Sequence, residues 1–310
     1  MNINVLNDNL SSSKLSTRRQ ALRRLGLGAA GLTGLGLLTS RTNAQQTEST
    51  SVGAAGSAAQ DIAVLQFALN LEYLEAEYYT YGATGHGIQQ EGIAVTGQGA
   101  QGPVIIKSNP RVPTFDGDIR ESIEEIARDE RNHVRFLRQT LQALGATPVA
   151  RPRIDLRDSW NALAQAASIQ TPFDPFANAI NFLLGAFVFE DVGVTAYRGA
   201  APLLENPEVL SGAAGLLGTE AYHAATIRTK LFEQHSSALN MVVKRISDLR
   251  DALDDGASDK DQGIIGDGGA NIVPTNLNGL VRARTVRQVL NILYFVPGAD
   301  KGGFFPDGIN

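Results

Sequence analysis

The chain of 310 residues has no cysteine, so disulfide frameworks, zinc fingers, iron–sulfur ligation and thiol nucleophiles are excluded. Any metal must be held by carboxylate and imidazole. Aromatic residues are scarce at 6%, and there are only four histidines, so a pattern among the histidines carries information. Positive charge is in deficit, with 27 basic against 32 acidic residues. The first 44 residues hold six basic residues and one acidic (Asp8), which leaves 21 basic and 31 acidic, net −10, for the rest. That acidity argues against a nucleic acid or an anionic membrane surface as partner. Long apolar runs are missing too. The run Leu25 to Leu38 has 14 residues, five of them glycine, too short for a hydrocarbon core of roughly 30 Å, and no other stretch is expected to cross one.

What is present begins with an address. Ser16-Thr17-Arg18-Arg19-Gln20-Ala21-Leu22-Arg23, the weak apolar run and the small residues Thr42-Asn43-Ala44 form a basic region, a short hydrophobic region and a cleavage site. The paired arginines resemble a twin-arginine export signal over residues 1–44, with Ala21 where phenylalanine is usual, and imply a periplasmic or secreted protein. An ordinary secretory signal with incidental arginines is the alternative. Residues 45–60, rich in Ser, Thr, Gly, Ala and Gln, read as a linker.

Four helical patterns follow, and they predict an all-α four-helix bundle over 61–247. The first starts at Asp61 and carries Leu65, Leu69, Glu72, Ala76 and Tyr79 on one seam. A Gly-rich, Pro-punctuated loop runs from Gly82 to about Phe115, with short strands expected near Val104 to Ile106. The second helix, capped by Asp116 or Asp118, carries Ile123, Ile126, Glu130, His133, Leu137 and Leu141 and closes at Gly145. A crossover of about thirty residues contains a short helix around Asp158 to Ala167. Asp174-Pro175 is the expected start of the third helix, with Ile180, Leu183, Phe187, Glu190, Val194 and Tyr197 on its seam. Asn206-Pro207 starts the fourth, with Leu210, Ala213, Leu217, Glu220, His223, Ile227 and Leu231. Residues 248–310 form an extension. Its stretch Asp248 to Asp267 reads as a solvated acidic loop, Val286 to Leu293 as a short helix against the bundle, and Phe304-Phe305 as an apolar end that docks there.

Each seam holds one glutamate, and an isolated buried carboxylate is very costly. On the second and fourth helices a histidine follows three residues later, as Glu130-Arg131-Asn132-His133 and Glu220-Ala221-Tyr222-His223. Three residues turn a helix by about 300° and advance it about 4.5 Å, so both side chains leave the same face. With 14 glutamates and 4 histidines in 310 positions, chance supplies about 0.2 such pairs, and there are two. Glu72 and Glu190 are each followed seven residues later by a tyrosine, Tyr79 and Tyr197, so the chain reads as two copies of one hairpin.

This pattern resembles the ferritin-like di-metal carboxylate proteins. The phrase Leu65-Gln66-Phe67-Ala68-Leu69-Asn70-Leu71-Glu72-Tyr73-Leu74-Glu75-Ala76-Glu77 is similar to the opening of the desiccation-related members of that superfamily. Arg284-Thr285-Val286-Arg287-Gln288-Val289-Leu290 and Gly302-Gly303-Phe304-Phe305-Pro306-Asp307-Gly308 are similar to their ending. The resemblance implies Glu72 and Glu190 as terminal ligands, Glu130 and Glu220 as bridging ligands, and His133 and His223 as one nitrogen ligand for each of two ions, Fe or Mn. Tyr79 and Tyr197 are candidates to hydrogen-bond the ligand carboxylates, with plain core tyrosines as the alternative. Glu75 and Glu77 are expected to be exposed or to sit behind the ligands, and His86 and His235 to be loop and surface residues. The function implied is a reaction with dioxygen or peroxide in stress protection; the alternative is a non-catalytic desiccation protein with a stabilising or vestigial metal. Homo-oligomers are compatible with either reading.

Overall fold

The computed structural model describes residues 46–115, 117–254 and 259–310. The export signal expected over 1–44 lies outside them, as does Asp116. The first helix, α1 (Gln46–Thr84), begins upstream of Asp61, so its backbone runs through most of the segment expected as a linker. No proline interrupts that segment, and extending an established helix gains a hydrogen bond for each residue fixed, so an apolar helix can carry a polar stretch with it.

The bundle is completed by α2 (Gly117–Ala143), α4 (Ala179–Ala200) and α5 (Pro207–Phe232), with the short α3 (Ser159–Ala166) in the crossover. On α2 the expected seam from Ile123 to Leu141 is buried throughout, and Gly145 ends the turn at φ +79°. The expected start of α4 at Asp174-Pro175 is corrected to Asn178, whose side chain accepts the Asn181 N–H. Asp174 is used elsewhere, accepting the Phe176 N–H and pairing with Lys107. On α5, Asn206 caps as expected, its Oδ1 accepting from Glu208 and Val209, but Leu210 is exposed and Val209 and Leu216 are buried in its stead. By length and composition Ala179–Leu203 is apolar enough to cross a membrane, contrary to the expectation that no stretch is; 83% of that window is buried inside the protein, the placement of a central core helix.

The loop after α1 is ordered by the crossover. Strand β1 (Val104–Ile105) pairs in parallel with β2 (Ile154–Asp155), and Ala150 and Arg151 donate to Gln98 and Val95. The few aromatic residues gather where α1, α3, α4 and the C-terminal segment meet. Tyr78 stacks on Phe182 at 4.4 Å, and Trp160 packs edge-on against Phe304 at 4.8 Å. Phe304 and Phe305 are thereby fully buried, as the sequence suggested.

The acidic stretch is corrected more substantially. A fifth long helix, α6 (Ser237–Asp254), spans the expected boundary at 247, and its last turn contains part of the supposed loop. Beyond it come a two-residue hairpin, β3 (Ile265–Gly266) with β4 (Gly269–Ala270), and α7 (Val286–Tyr294), which has Thr285 and Gln288 as its capping box. Asp254 and Asp261 are buried, not solvated. Arg284 donates to both of them and to Thr195 of α4. Arg250 faces Asp191 at 3.0 Å and Asp261 at 2.6 Å, and Arg228 faces Asp191 at 2.7 Å. Three guanidinium groups and three carboxylates therefore tie the extension to α4 and α5, an arrangement in which removing one partner is far costlier than the pair is worth.

Candidate metal centre

Glu72 on α1, Glu130 and His133 on α2, Glu190 on α4, and Glu220 and His223 on α5 converge in the middle of the bundle, none more than 6% exposed. Their ligating atoms fall into two groups. Glu72, Glu130, His133 and Glu220 lie within 4.8 Å of one another, and so do Glu130, Glu190 and His223. Glu130 belongs to both. His133 turns Nδ1 to Glu72 at 3.2 Å, Glu220 at 3.3 Å and Glu130 at 3.5 Å. His223 turns Nδ1 to Glu130 at 2.9 Å and Glu190 at 3.7 Å. The two imidazoles lie 5.8 Å apart, nearly parallel.

Apart from the His133–Glu72 hydrogen bond, these atoms do not satisfy one another. Both carboxylate oxygens of Glu130 and of Glu220, Oε2 of Glu190 and both ring nitrogens of His223 are buried without a hydrogen-bond partner. Buried polar atoms are normally paired, and an unpaired buried charge costs several kcal/mol. Oxygen donors with one imidazole in each group form a set that suits iron or manganese, so the residues present fit a metal site.

One oxygen each of Glu72 and Glu190 is held by a tyrosine. Tyr197 of α4 donates to Oε1 of Glu72, and Tyr79 of α1 donates to Oε1 of Glu190. Both tyrosines are held well above their ordinary pKa by burial and by the carboxylate each one faces, so they remain neutral donors. Burial raises Glu72 to about 8 against the pull of His133, and it raises Glu190 and Glu220 as well. Glu130 goes the other way. Burial alone would raise it, but His133 and His223 together hold it below the usual carboxylate range. Burial would lower the histidines, yet facing carboxylates raise both, His223 to about 10. Without cations the cluster therefore holds protons in their place.

Three acidic neighbours complete the surroundings. Glu75 is buried, and burial, together with the four other glutamates around it, pushes its pKa well up. A Cβ on Gly193 of α4 would lie 2.5 Å from Glu220 Oε2 and 3.5 Å from Glu75 Oε1, so the bare glycine makes room for both carboxylates. The i, i+3 spacing from Glu72, the same as in the two Glu-His pairs, was the available signal for Glu75. Glu77 is buried away from the cluster, where it pairs with Arg151 of the crossover and accepts the Ile88 N–H. Asp129, beside Glu130, brings Oδ2 within 3.6 Å of His223 Nε2. His86 sits in the loop against Glu91, and His235 is exposed with φ +48°, as expected.

The family model for the ferritin-like domain matches residues 60–233, more than half of the chain and all four bundle helices. The chain belongs to the ferritin-like family. Among ferritin-like relatives, the desiccation-related protein PCC13-62 of Craterostigma plantagineum is 32% identical over 249 residues, covering 74% of this chain and 76% of the relative. The ferritin-like catalase Nec2 of Nesocodon mauritianus is 30% identical over 270 residues, covering 81% and 83%. No solved structure matches the chain significantly. The ferritin-like resemblance read from the Glu-x-x-His pairs and the desiccation-type phrases is thus the family found by comparison.

Proposed function

We propose that this ferritin-like protein binds two ions of iron or manganese and uses them to remove hydrogen peroxide, with dioxygen as the other oxidant it can meet. The observation that carries the reading is the pair of buried ligand groups sharing Glu130, with bare oxygens turned inward. Glu72 and Glu190 serve as terminal ligands, each steadied by the tyrosine that bonds its second oxygen. Glu130, common to both groups, would be shared by the two ions, whereas Glu220, expected as a second bridge, falls in the His133 group alone; each histidine would supply one nitrogen through Nδ1. Four carboxylates balance two divalent cations with neutral imidazoles, which would offset the burial and repulsion that raise Glu72, Glu190 and Glu220. When bound, two redox-active ions would give two electrons to one peroxide, which with two protons becomes water, and take two back from a second, which leaves as dioxygen. Asp129 places a carboxylate 3.6 Å from the outer nitrogen of His223, the surrounding apolar residues exclude bulk water, and Glu75 can hold a proton on its carboxyl beside the centre. The name of the catalase relative supports this choice of substrate.

The test is oxygen release from peroxide by the metal-loaded chain, against Glu130→Ala. Loss of release in the variant, with release by the parent well above that of free metal, is the expected result. If the loaded parent is no faster than free metal, the catalytic reading is wrong. A stress protein stabilised by its metal, the reading that the name of the desiccation-related relative supports, then takes its place. The basic segment carries the accompanying proposal of export to the periplasm or beyond, and lysine at both Arg18 and Arg19 should trap precursor in the cytoplasm.

A further inference from the structure

A centre so deeply buried needs a way in, and the surface offers unequal candidates. Between α1, α4 and α7 a crevice reaches Glu75 and Gly193, but it is walled by Leu74, Phe189 and Leu293 and has a volume of about 10 Å³. That is at the limit for a single water, which needs roughly 10–15 Å³. Between α2 and α5, on the other side of the cluster, lies a cleft of about 350 Å³ lined by Ser122, Glu125, Asp129, Thr219 and Thr226, with His223 among its walls. An ion with six waters, at ~30 Å³ each, needs about 180 Å³. The hydroxyls can replace part of a hydration shell, and the carboxylates favour positive charge. His223 Nε2 is buried, has no hydrogen-bond partner and lies 3.6 Å from Asp129 Oδ2; the other nitrogen of the same ring faces Glu130 and Glu190. One ring thus joins the cleft to the centre.

We propose that the α2–α5 cleft is the route by which divalent cations load the centre, with Glu125 and Asp129 drawing the ion in and His223 forming the last wall before Glu130. The inference rests on the metal-binding reading above and adds a path to it. Arg128 stands at the mouth, 3.7 Å from Glu125 and 3.9 Å from Asp129. Its side chain is exposed, and such pairs are weak, so an arriving cation can displace the guanidinium. Arg128 therefore acts as a brake on loading and plays no part in the centre itself.

The experiment strips metal from the full chain, adds Mn²⁺ alone and follows uptake by the loss of the free-ion paramagnetic resonance signal. Ser122→Trp, which fills the cleft about two turns from Glu130, should slow uptake roughly tenfold without changing the number of ions finally bound. Glu125→Gln should slow it at low salt and match the parent at high salt, because steering by exposed charge is screened. Arg128→Gln should load faster than the parent. If Ser122→Trp, folded by circular dichroism, loads at the parent's rate, the route is refuted while the centre stands. Glu125 lies exposed on the helix surface, so Glu125→Gln serves should the tryptophan variant not fold, and an unchanged low-salt rate there is equally a refutation. A parent chain that takes up no Mn²⁺ overturns the metal reading and the route together.

Discussion

Gly193→Ala offers a sharp test of the centre's geometry. The added methyl carbon would sit 2.5 Å from Glu220 Oε2, about 1 Å inside ordinary contact. Glu220 is fully buried, and Glu75 crowds the same spot from α1, so the carboxylate has nowhere to yield. Overpacking of this kind costs about 1–3 kcal/mol. For a chain of this size that corresponds to a fall in melting temperature of roughly 2–5 °C. The control is the same substitution at Gly215, in the same bundle but with open space around its Cα. There the helix gains about 0.5–1 kcal/mol from alanine, and the melting temperature should rise by about 1–2 °C. Calorimetry of the loaded proteins reads the two signs, and elemental analysis reads the metal. Gly193→Ala should also shed the ion held by Glu72, Glu130, His133 and Glu220 first. If both alanine variants melt alike and keep their metal, Glu220 does not stand where the structure puts it.

Metal-stripped protein should lose stability as pH rises from about 5 to 10. Glu72, raised from 4.5 to about 8, and His223, raised from 6.5 to about 10, both hold protons that the unfolded chain releases, and their contribution is lost as pH passes the folded values. Glu130, which is lowered, acts only below 4.5, outside this window. Loaded protein should show a flatter profile of melting temperature against pH, and a stripped sample that stabilises over the same range would contradict the cluster. Arg284→Met should cost about 3 kcal/mol in a denaturant melt, the low end for a broken buried pair, because Arg250 still faces Asp261 and Lys260 still faces Asp254. His133→Ala combined with His223→Ala should lower bound metal by elemental analysis, and His86→Ala, in the loop against Glu91, should leave it unchanged.

The bundle was legible because its signal is periodic: one carboxylate and one apolar seam on each of four helices leave little choice of faces. The same logic placed Tyr79 and Tyr197 among the candidates, and their bonds to Glu190 and Glu72 decide against plain core tyrosines. Helix α6 was hidden by its own charge. Leu239, Val243, Ile246 and Leu253 keep the helical spacing, but Arg250 fills the intervening core position, and the aspartates nearby read as loop because their arginine partners are distant in sequence. Glu75 has no counterpart on the matched hairpin, where Gly193 occupies the same place, so the sequence alone left open whether it is exposed or behind the ligands. The start of α4 was misplaced because two cap-like residues, Asp174 and Asn178, stand four apart, and only tertiary contacts show which one is free to cap.

The crossed tyrosines bear on how such a chain could arise. Each hairpin fixes the terminal glutamate of the other, so neither could assemble half a centre alone. A twofold dimer of one short hairpin would already make both contacts between subunits. Joining the copies through the crossover would turn that interface into an interior without changing a ligand. Symmetry would have forced the residue three places after each terminal glutamate to be identical in both copies, and two glutamates would then have competed for the space that Gly193 now leaves open. A single chain is released from that constraint. It can keep Glu75 on one side and Gly193 on the other, so that the two ligand groups are unequal in their surroundings.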